Sequence, residues 1–186
     1  MKYHNNRLLR ITTTAVFIAL ICVLTLLVRI PSPTKGYINL GDCAVLFGGL
    51  LLGSVYGTIA GGIGSALADL FAGYPVYVPG TLIIKGIMAL IISLVPYPFS
   101  GNGGKYPRAR FAIGAVIAEL FMVIGYYLYE AVAIGEGFIP AFTGVSGNFM
   151  QGIVGIAGVY FLIGIFSRTN IFKTYGARGS WKGNTK

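Results

Sequence analysis

The sequence predicts an all-α integral membrane protein, a bundle of six transmembrane helices with both termini on the cytoplasmic side. Of its 186 residues, 55% are apolar and only 10% are charged, whereas soluble domains carry about 25% charged residues. The mean hydropathy is +0.78. Apolar stretches long enough to cross ~30 Å of hydrocarbon make up most of the chain. We therefore expect a single membrane domain over residues 1–186.

The predicted spans follow one another with short connections. The second and third are separated only by Gly53-Ser54, and because the second is short, the two are expected to form a tightly turned helical pair. Glycines and prolines mark the loop after the third span, and Pro96 to Pro107 is the longest polar break. The spans cover residues 8–30, 40–52, 55–71, 80–96, 111–133 and 143–166, approximately.

The basic residues predict the orientation of the bundle. If both termini are cytoplasmic, eleven of the fourteen Lys and Arg residues lie in cytoplasmic segments, where positive charge is enriched in membrane proteins. Arg29, Lys35 and Lys85 lie towards the outer half. Because the basic residues flank apolar segments and do not cluster with aromatic residues on one face, the net charge of +9 does not indicate a nucleic-acid partner.

Lys85 lies inside the apolar run from Thr81 to Ser93. An ammonium in the hydrocarbon region costs ~3 kcal/mol or more and therefore marks a binding or translocation site. Counted from the outer end of the fourth span, Lys85 is about five residues, or ~8 Å, inside. Glu130 and Gln151 lie near the outer ends of the fifth and sixth spans, so polar groups from several spans share one depth.

Polar residues recur at helical spacing on three spans, which places each set on one helix face. They are Thr81, Lys85 and Met88; Glu119, Tyr126 and Glu130; and Asn148, Gln151 and Gly155. These three sets of residues either join the helices by hydrogen bonds or line a pocket. A lysine among carboxylates favours the pocket, because apolar packing would stabilise a bundle equally well. The candidate substrate-binding residues are Tyr37, Asn39, Asp42, Asp69, Tyr74, Tyr77, Lys85, Tyr126, Glu130, Asn148 and Gln151.

No catalytic group, metal site or cofactor is expected. The single histidine, His4, lies in the N-terminal tail, which argues against a histidine-based triad and a zinc site. Cys22 and Cys43 lack CxxC spacing. The segment ending at Lys105 resembles a phosphate loop, but Phe99 replaces its first glycine and no Ser or Thr follows the lysine. We therefore expect that the chain has no ATP site of its own and is not an enzyme.

Four stretches of the chain carry a family resemblance: Gly36 to Asp42, Leu51 to Gly53, Ala60 to Asp69 and Thr81 to Gly86. With them, nearly the whole chain resembles the substrate-binding S-components of energy-coupling factor (ECF) vitamin transporters. The group is the riboflavin-type one that includes pyridoxine and hydroxymethylpyrimidine carriers. Ala15 and Ala19 match the family's AxxxA motif in the first span, which contacts the transmembrane coupling subunit.

The resemblance implies a vitamin importer in the plasma membrane of a prokaryote. Such a subunit captures a vitamin at its outer face beneath the outer loops. It then docks on a transmembrane coupling subunit with two ATPases and topples in the bilayer to release the vitamin inside.

The polar residues suit a small flat heteroaromatic, such as a B6 vitamer or the thiamine pyrimidine. In this interpretation Lys85 meets a ring phenolate and a carboxylate meets a ring nitrogen. Riboflavin, which needs a larger cavity, is one alternative. A stand-alone proton-coupled transporter that uses Glu119 or Asp69 is a second, and a non-transport membrane scaffold is a third.

Overall fold

The computed structural model describes residues 2–27, 29–31, 37–95 and 108–166. These residues form six helices and a two-stranded antiparallel ribbon, and four of the helices are long and apolar enough to cross a membrane. The all-α membrane bundle is therefore confirmed. The elements are α1 (Lys2–Leu27), β1 (Arg29–Pro31), β2 (Tyr37–Asn39), α2 (Gly41–Leu52), α3 (Ser54–Ala72), α4 (Val78–Leu94), α5 (Arg108–Leu128) continued by a π-helical segment (Tyr129–Ile134), and α6 (Phe138–Phe166).

The ribbon is an addition to the predicted helices. The first helix ends at Leu27, whereas the predicted span continues to Ile30, because Arg29–Pro31 pairs with Tyr37–Asn39. Ile30 precedes a proline, and a residue in that position favours extended backbone over helix. The ribbon leads into α2, so it places Asn39 directly beside the start of that helix.

The second helix is short and central. Its 12 residues span only ~18 Å, less than the hydrocarbon thickness. It packs against α1, α3, α4 and α6, and nearly all of its residues are buried. Gly53, with φ of 80°, ends α2 and separates it from α3. That backbone conformation favours glycine, and the tightly turned helical pair that the sequence predicts is confirmed.

Glycines bring the backbones of α2, α3 and α4 into close contact. A Cβ atom on Gly49 would lie 2.5 Å from the carbonyl oxygen of Ala89, and one on Gly62 would lie 2.7 Å from that of Leu82. Small residues at such positions allow close helix approach in membranes. Because α4 is held this tightly against its neighbours, the residues on its inner face, including Lys85, point into the centre of the bundle.

The outer surface of the bundle is apolar. Large side chains on it, such as Val16, Phe71, Ile83 and Phe161, are more than half exposed. Hydrocarbon tails solvate such side chains as well as a protein core does. The surface therefore agrees with a multi-pass membrane protein.

The connections between α1 and α2, α3 and α4, and α5 and α6 share one end of the bundle, the end that the basic residues predict to face outwards.

Candidate functional site

Lys85 of α4 and Asp42 of α2 form an ion pair in the centre of the bundle. The lysine Nζ contacts Asp42 Oδ1, and the two residues are only 2% and 1% exposed. Asp42 is in the first turn of α2, where the positive end of the helix dipole favours a carboxylate. The buried ammonium predicted from the sequence therefore has a partner on another helix.

Gln151 of α6 connects this ion pair to the ribbon. Its Nε2 donates to Asp42 Oδ2 over 2.8 Å, and its Oε1 accepts the backbone N–H of Asn39 over 2.8 Å. The Asn39 Oδ1 in turn accepts the N–H of Gly41 over 2.8 Å. Four elements, β2, α2, α4 and α6, thus meet through one chain of hydrogen bonds. We call Asn39, Asp42, Lys85 and Gln151 the central network.

Tyr126 of α5 covers the central network on the side of α4. Its ring centroid lies 5.4 Å from Lys85 Nζ, within the range of a cation–π contact. Its hydroxyl shares a hydrogen bond of 2.9 Å with the hydroxyl of Thr81. Thr81 and Lys85 are four residues apart on α4, so Tyr126 contacts two successive positions on one helix face.

A second polar contact lies one turn further out. Tyr77, immediately before α4, donates its hydroxyl to Glu130 Oε1 over 3.3 Å. The ring of Tyr74 meets that of Tyr77 edge-on at 6.4 Å. Tyr129 packs beside Tyr77 and donates to the carbonyl of Val76 over 2.7 Å. The π-helical segment carries both Tyr129 and Glu130, so it brings this aromatic cluster together at the outer end.

Glu119 lies deeper, beside the central network. The residue is 4% exposed and faces two glycines of α6. A Cβ atom on Gly152 would lie 3.3 Å from Glu119 Oε2. One on Gly155 would lie 2.5 Å from Glu119 Oε1 and 2.9 Å from Asp42 Cβ. The two acids are therefore neighbours. The sequence left the role of Glu119 open; the signal for its position is the pair of glycines, which leaves room on α6 for a large side chain.

The remaining candidate residues lie at other places in the fold. Asp69 is buried in the last turn of α3, where its carbonyl accepts the N–H groups of Gly73 and Tyr74. Asn148 is half-buried on α6, one turn before Gln151. The backbone of Tyr37 pairs with Pro31 in the ribbon, and its side chain lies outside the described part of the structure.

A surface groove of about 390 Å³ lies between the second half of α4 and the first half of α5, and none of these polar residues lines it. Its walls are mainly apolar, with Ile91, Leu94, Ile113 and Ile117 beside Arg110. It opens on the apolar outer surface near the end that the sequence predicts to be cytoplasmic. The central network, with its converging charged and amide groups, is the better candidate for a specific polar ligand.

Comparison with known proteins identifies the family of the chain. The family model described as ECF-type riboflavin transporter, S component, matches residues 5–168. The chain belongs to this S-component family. It is accordingly a transporter component, not an enzyme.

Three relatives extend the comparison. The S-component is 27% identical to the thiamine precursor transporter HmpT of Lactococcus lactis subsp. cremoris, over 92% of this chain and 95% of HmpT. It is 40% identical to an uncharacterised protein of Pyrococcus woesei, over 63% of this chain and 75% of the relative. It is 32% identical to a UPF0397 protein of Vibrio atlanticus, over 61% of this chain and 65% of the relative.

The first helix of this S-component presents Ala15 and Ala19 on its exposed side. Val16, Leu20 and Val23 extend the same surface with large apolar side chains that are 41% to 61% exposed. Two small residues one turn apart leave a shallow depression on a helix, which allows another helix to approach closely. We call this surface the α1 face.

Proposed function

We propose that this S-component binds a small heteroaromatic vitamin or vitamin precursor at the central network and supplies it to an ATPase-driven importer. The favoured ligands are a B6 vitamer and hydroxymethylpyrimidine. The observation that carries the proposal is the convergence of Asn39, Asp42, Lys85 and Gln151 from four elements on one buried point.

The central network is costly to a protein that needs only stability. Two opposite charges that are buried lose free energy of hydration, and their mutual attraction compensates only part of it. Apolar residues of similar size often stabilise a fold equally well. Charged groups inside membrane spans accordingly mark substrate or ion sites. In the empty protein these charged and amide groups bond to one another, and in this proposal a ligand with several donors and acceptors replaces some of those contacts.

The link from Gln151 to the Asn39 backbone supports access from the outer side. A ligand that contacts Asp42 or Gln151 also alters the hydrogen bond that holds β2 against α6. Occupancy of the site is therefore coupled to the ribbon at the outer end. The tyrosines at positions 74, 77 and 129 provide aromatic surface along the same side.

The ligand class is supported by the chemistry of these residues and by the relatives. HmpT, which aligns over nearly the whole chain, carries the description of a thiamine precursor transporter, and the family description names riboflavin. A pyrimidine or pyridine ring matches the few converging charges better than the larger flavin, which needs a wider cavity.

The α1 face is the proposed contact for the transmembrane coupling subunit, with two ATPases completing the importer in the plasma membrane of a prokaryote. Ala15 and Ala19 are exposed, so a partner helix can reach them without a change in the bundle. ATP hydrolysis takes place on the partner subunits in this proposal.

Isothermal titration of the purified protein with hydroxymethylpyrimidine, pyridoxine, thiamine and riboflavin tests the proposal. We expect one of the two smaller heteroaromatics to bind most tightly, and Lys85→Ala to weaken its binding at least ~10-fold, because Asp42 then loses the cation that positions it within the central network. The matched control is Thr143→Ala, an exposed position on α6. Absence of binding by all four compounds contradicts the proposal, and tightest binding of riboflavin contradicts its ligand class.

A further inference from the structure

Glu119 is a buried carboxyl group that the central network does not use. The residue is 4% exposed, and neither of its carboxyl oxygens has a hydrogen-bond partner among the described residues. Buried polar groups in folded proteins are almost always hydrogen-bonded, so a buried group without a partner indicates a functional role. Glycines 152 and 155 of α6 face the carboxyl, so α6 places no side chain against it at these two positions.

The charges around Glu119 do not balance. Lys85 is the cation of the cluster, and its ammonium is already paired with Asp42. Asp42, the neighbouring acid, contacts Lys85 with one oxygen and accepts from Gln151 with the other. An ionised Glu119 would therefore add one uncompensated negative charge in a low-dielectric interior, where its desolvation is very unfavourable. Neutrality of the site requires one more positive charge, from a proton or from a ligand.

We propose that Glu119 is the specificity-determining carboxyl of the site, and that the ligand meets it with a positively charged edge of two N–H donors. A ring nitrogen beside an exocyclic amino group, as in an aminopyrimidine, provides this edge. In the empty site Glu119 holds a proton. On binding, the ring nitrogen takes that proton, and the resulting cation donates two parallel hydrogen bonds to the carboxylate, a geometry of high strength and specificity. This inference rests on the proposed function.

The same charge count ranks the ligand classes. A pyridoxine zwitterion carries a phenolate that needs Lys85, and Lys85 is held by Asp42. A flavin is neutral and presents carbonyl acceptors on both sides of a single N–H, so two of its groups would face the carboxylate unfavourably. An aminopyrimidine leaves the Lys85–Asp42 pair intact, and its ring nitrogen holds the proton that Glu119 carries in the empty site. We therefore expect aminopyrimidines to bind more tightly than pyridoxine, and pyridoxine more tightly than riboflavin.

The test compares hydroxymethylpyrimidine with its analogue in which a ring carbonyl replaces the amino group. Isothermal titration of the wild-type protein should show at least ~10-fold tighter binding of the amino compound, equal to ~1.4 kcal/mol. In Glu119→Gln the glutamine side chain has nearly the same shape as glutamate, and its amide N–H donates to a carbonyl. The preference for the amino compound should therefore disappear or reverse. The matched control is Glu136→Gln, which changes a half-buried acid in the connection before α6 that is not a candidate binding residue and should keep the preference.

Thermal unfolding of each variant in detergent shows whether the fold is retained. If Glu119→Gln does not fold, Gly152→Ala takes its place, because the added methyl group would lie 3.3 Å from Glu119 Oε2 and should reduce the preference. Equal binding of both compounds by the wild-type protein, or an unchanged preference in a folded Glu119→Gln variant, overturns the inference. Failure of every heteroaromatic to bind overturns the proposed function as well, so the two failures are distinguishable.

Discussion

Asp42 and Lys85 form a buried ion pair between the shortest helix of the bundle and the helix packed beside it. Each is the other's charge partner, and Gln151 completes the hydrogen bonding of the carboxylate. Removal of one partner from such a pair leaves an isolated charge in a low-dielectric interior, whereas removal of both does not. A single substitution in the pair therefore affects both the stability of the protein and ligand binding. Substitution of both residues separates the two effects.

Lys85→Met should lower the free energy of unfolding by about 3–5 kcal/mol because Asp42 is then buried without its cation. Addition of Asp42→Asn to the same protein should restore most of that loss, since no buried charge remains. Thermal unfolding in detergent, followed by loss of soluble monomer on heating, measures both variants. A double variant as unstable as Lys85→Met would show that the ion pair is not what stabilises this position.

Gln151→Leu should weaken ligand binding by about 10-fold and increase the mobility of the ribbon. The substitution removes the donor to Asp42 and the acceptor for the Asn39 N–H, and each lost hydrogen bond contributes about 1 kcal/mol. Titration measures the affinity, and hydrogen exchange at residues 37–39 measures the ribbon. Slow, unchanged exchange at Asn39 would contradict the role of Gln151 as the link between the site and the ribbon.

Gly155→Ala should destabilise the protein by about 1–3 kcal/mol, as expected for overpacking of a close-packed interior. The added methyl group would lie 2.5 Å from Glu119 Oε1 and 2.9 Å from Asp42 Cβ. Gly164→Ala on the same helix is the matched control, because a Cβ atom there meets nothing within 4 Å. That substitution should be neutral or stabilising, since alanine favours helix over glycine by up to ~1 kcal/mol. Equal melting temperatures for the two variants would contradict the close contact between Glu119 and α6.

Replacement of both Ala15 and Ala19 by leucine should abolish vitamin uptake by cells while the purified variant still binds its ligand. The two positions are exposed, so the bundle tolerates larger side chains there, but a partner helix loses its close approach. Radiolabelled uptake and titration on the same variant give the two measurements. Substitution of Val116 by leucine on the exposed surface of α5, outside the α1 face, is a control of similar chemistry. Normal uptake by the double variant would exclude the α1 face as the docking contact.

Much of the fold followed from local patterns. Long apolar segments predicted the membrane bundle, and the short interval at Gly53 predicted the turned pair of α2 and α3. Helical spacing placed Thr81 and Lys85 on one face, and the structure has both buried there. The ribbon was not predicted, because three-residue strands carry little periodic signal.

The details of the central network depend on contacts between distant parts of the chain. Sequence spacing predicted that Asp42, Lys85 and Gln151 are polar residues within or beside spans, but not that the aspartate contacts both of the others. Those contacts require α2 to lie between α4 and α6, which depends on glycine positions such as Gly49 where backbones meet. The role of Glu119, in binding, packing or proton relay, was left open for the same reason.

The sequence by itself determined that the protein lies in a lipid bilayer. It also determined the number of helices and the face of each helix that carries polar residues. These properties are local, because each span must satisfy its own backbone within hydrocarbon and its side chains repeat every 3.6 residues. Only the tertiary structure decided that Lys85 pairs with Asp42 and that Glu119 lies beside them with both oxygens unpartnered among the described residues. Charge pairing depends on distances of a few ångströms between helices, and close packing of small residues sets those distances.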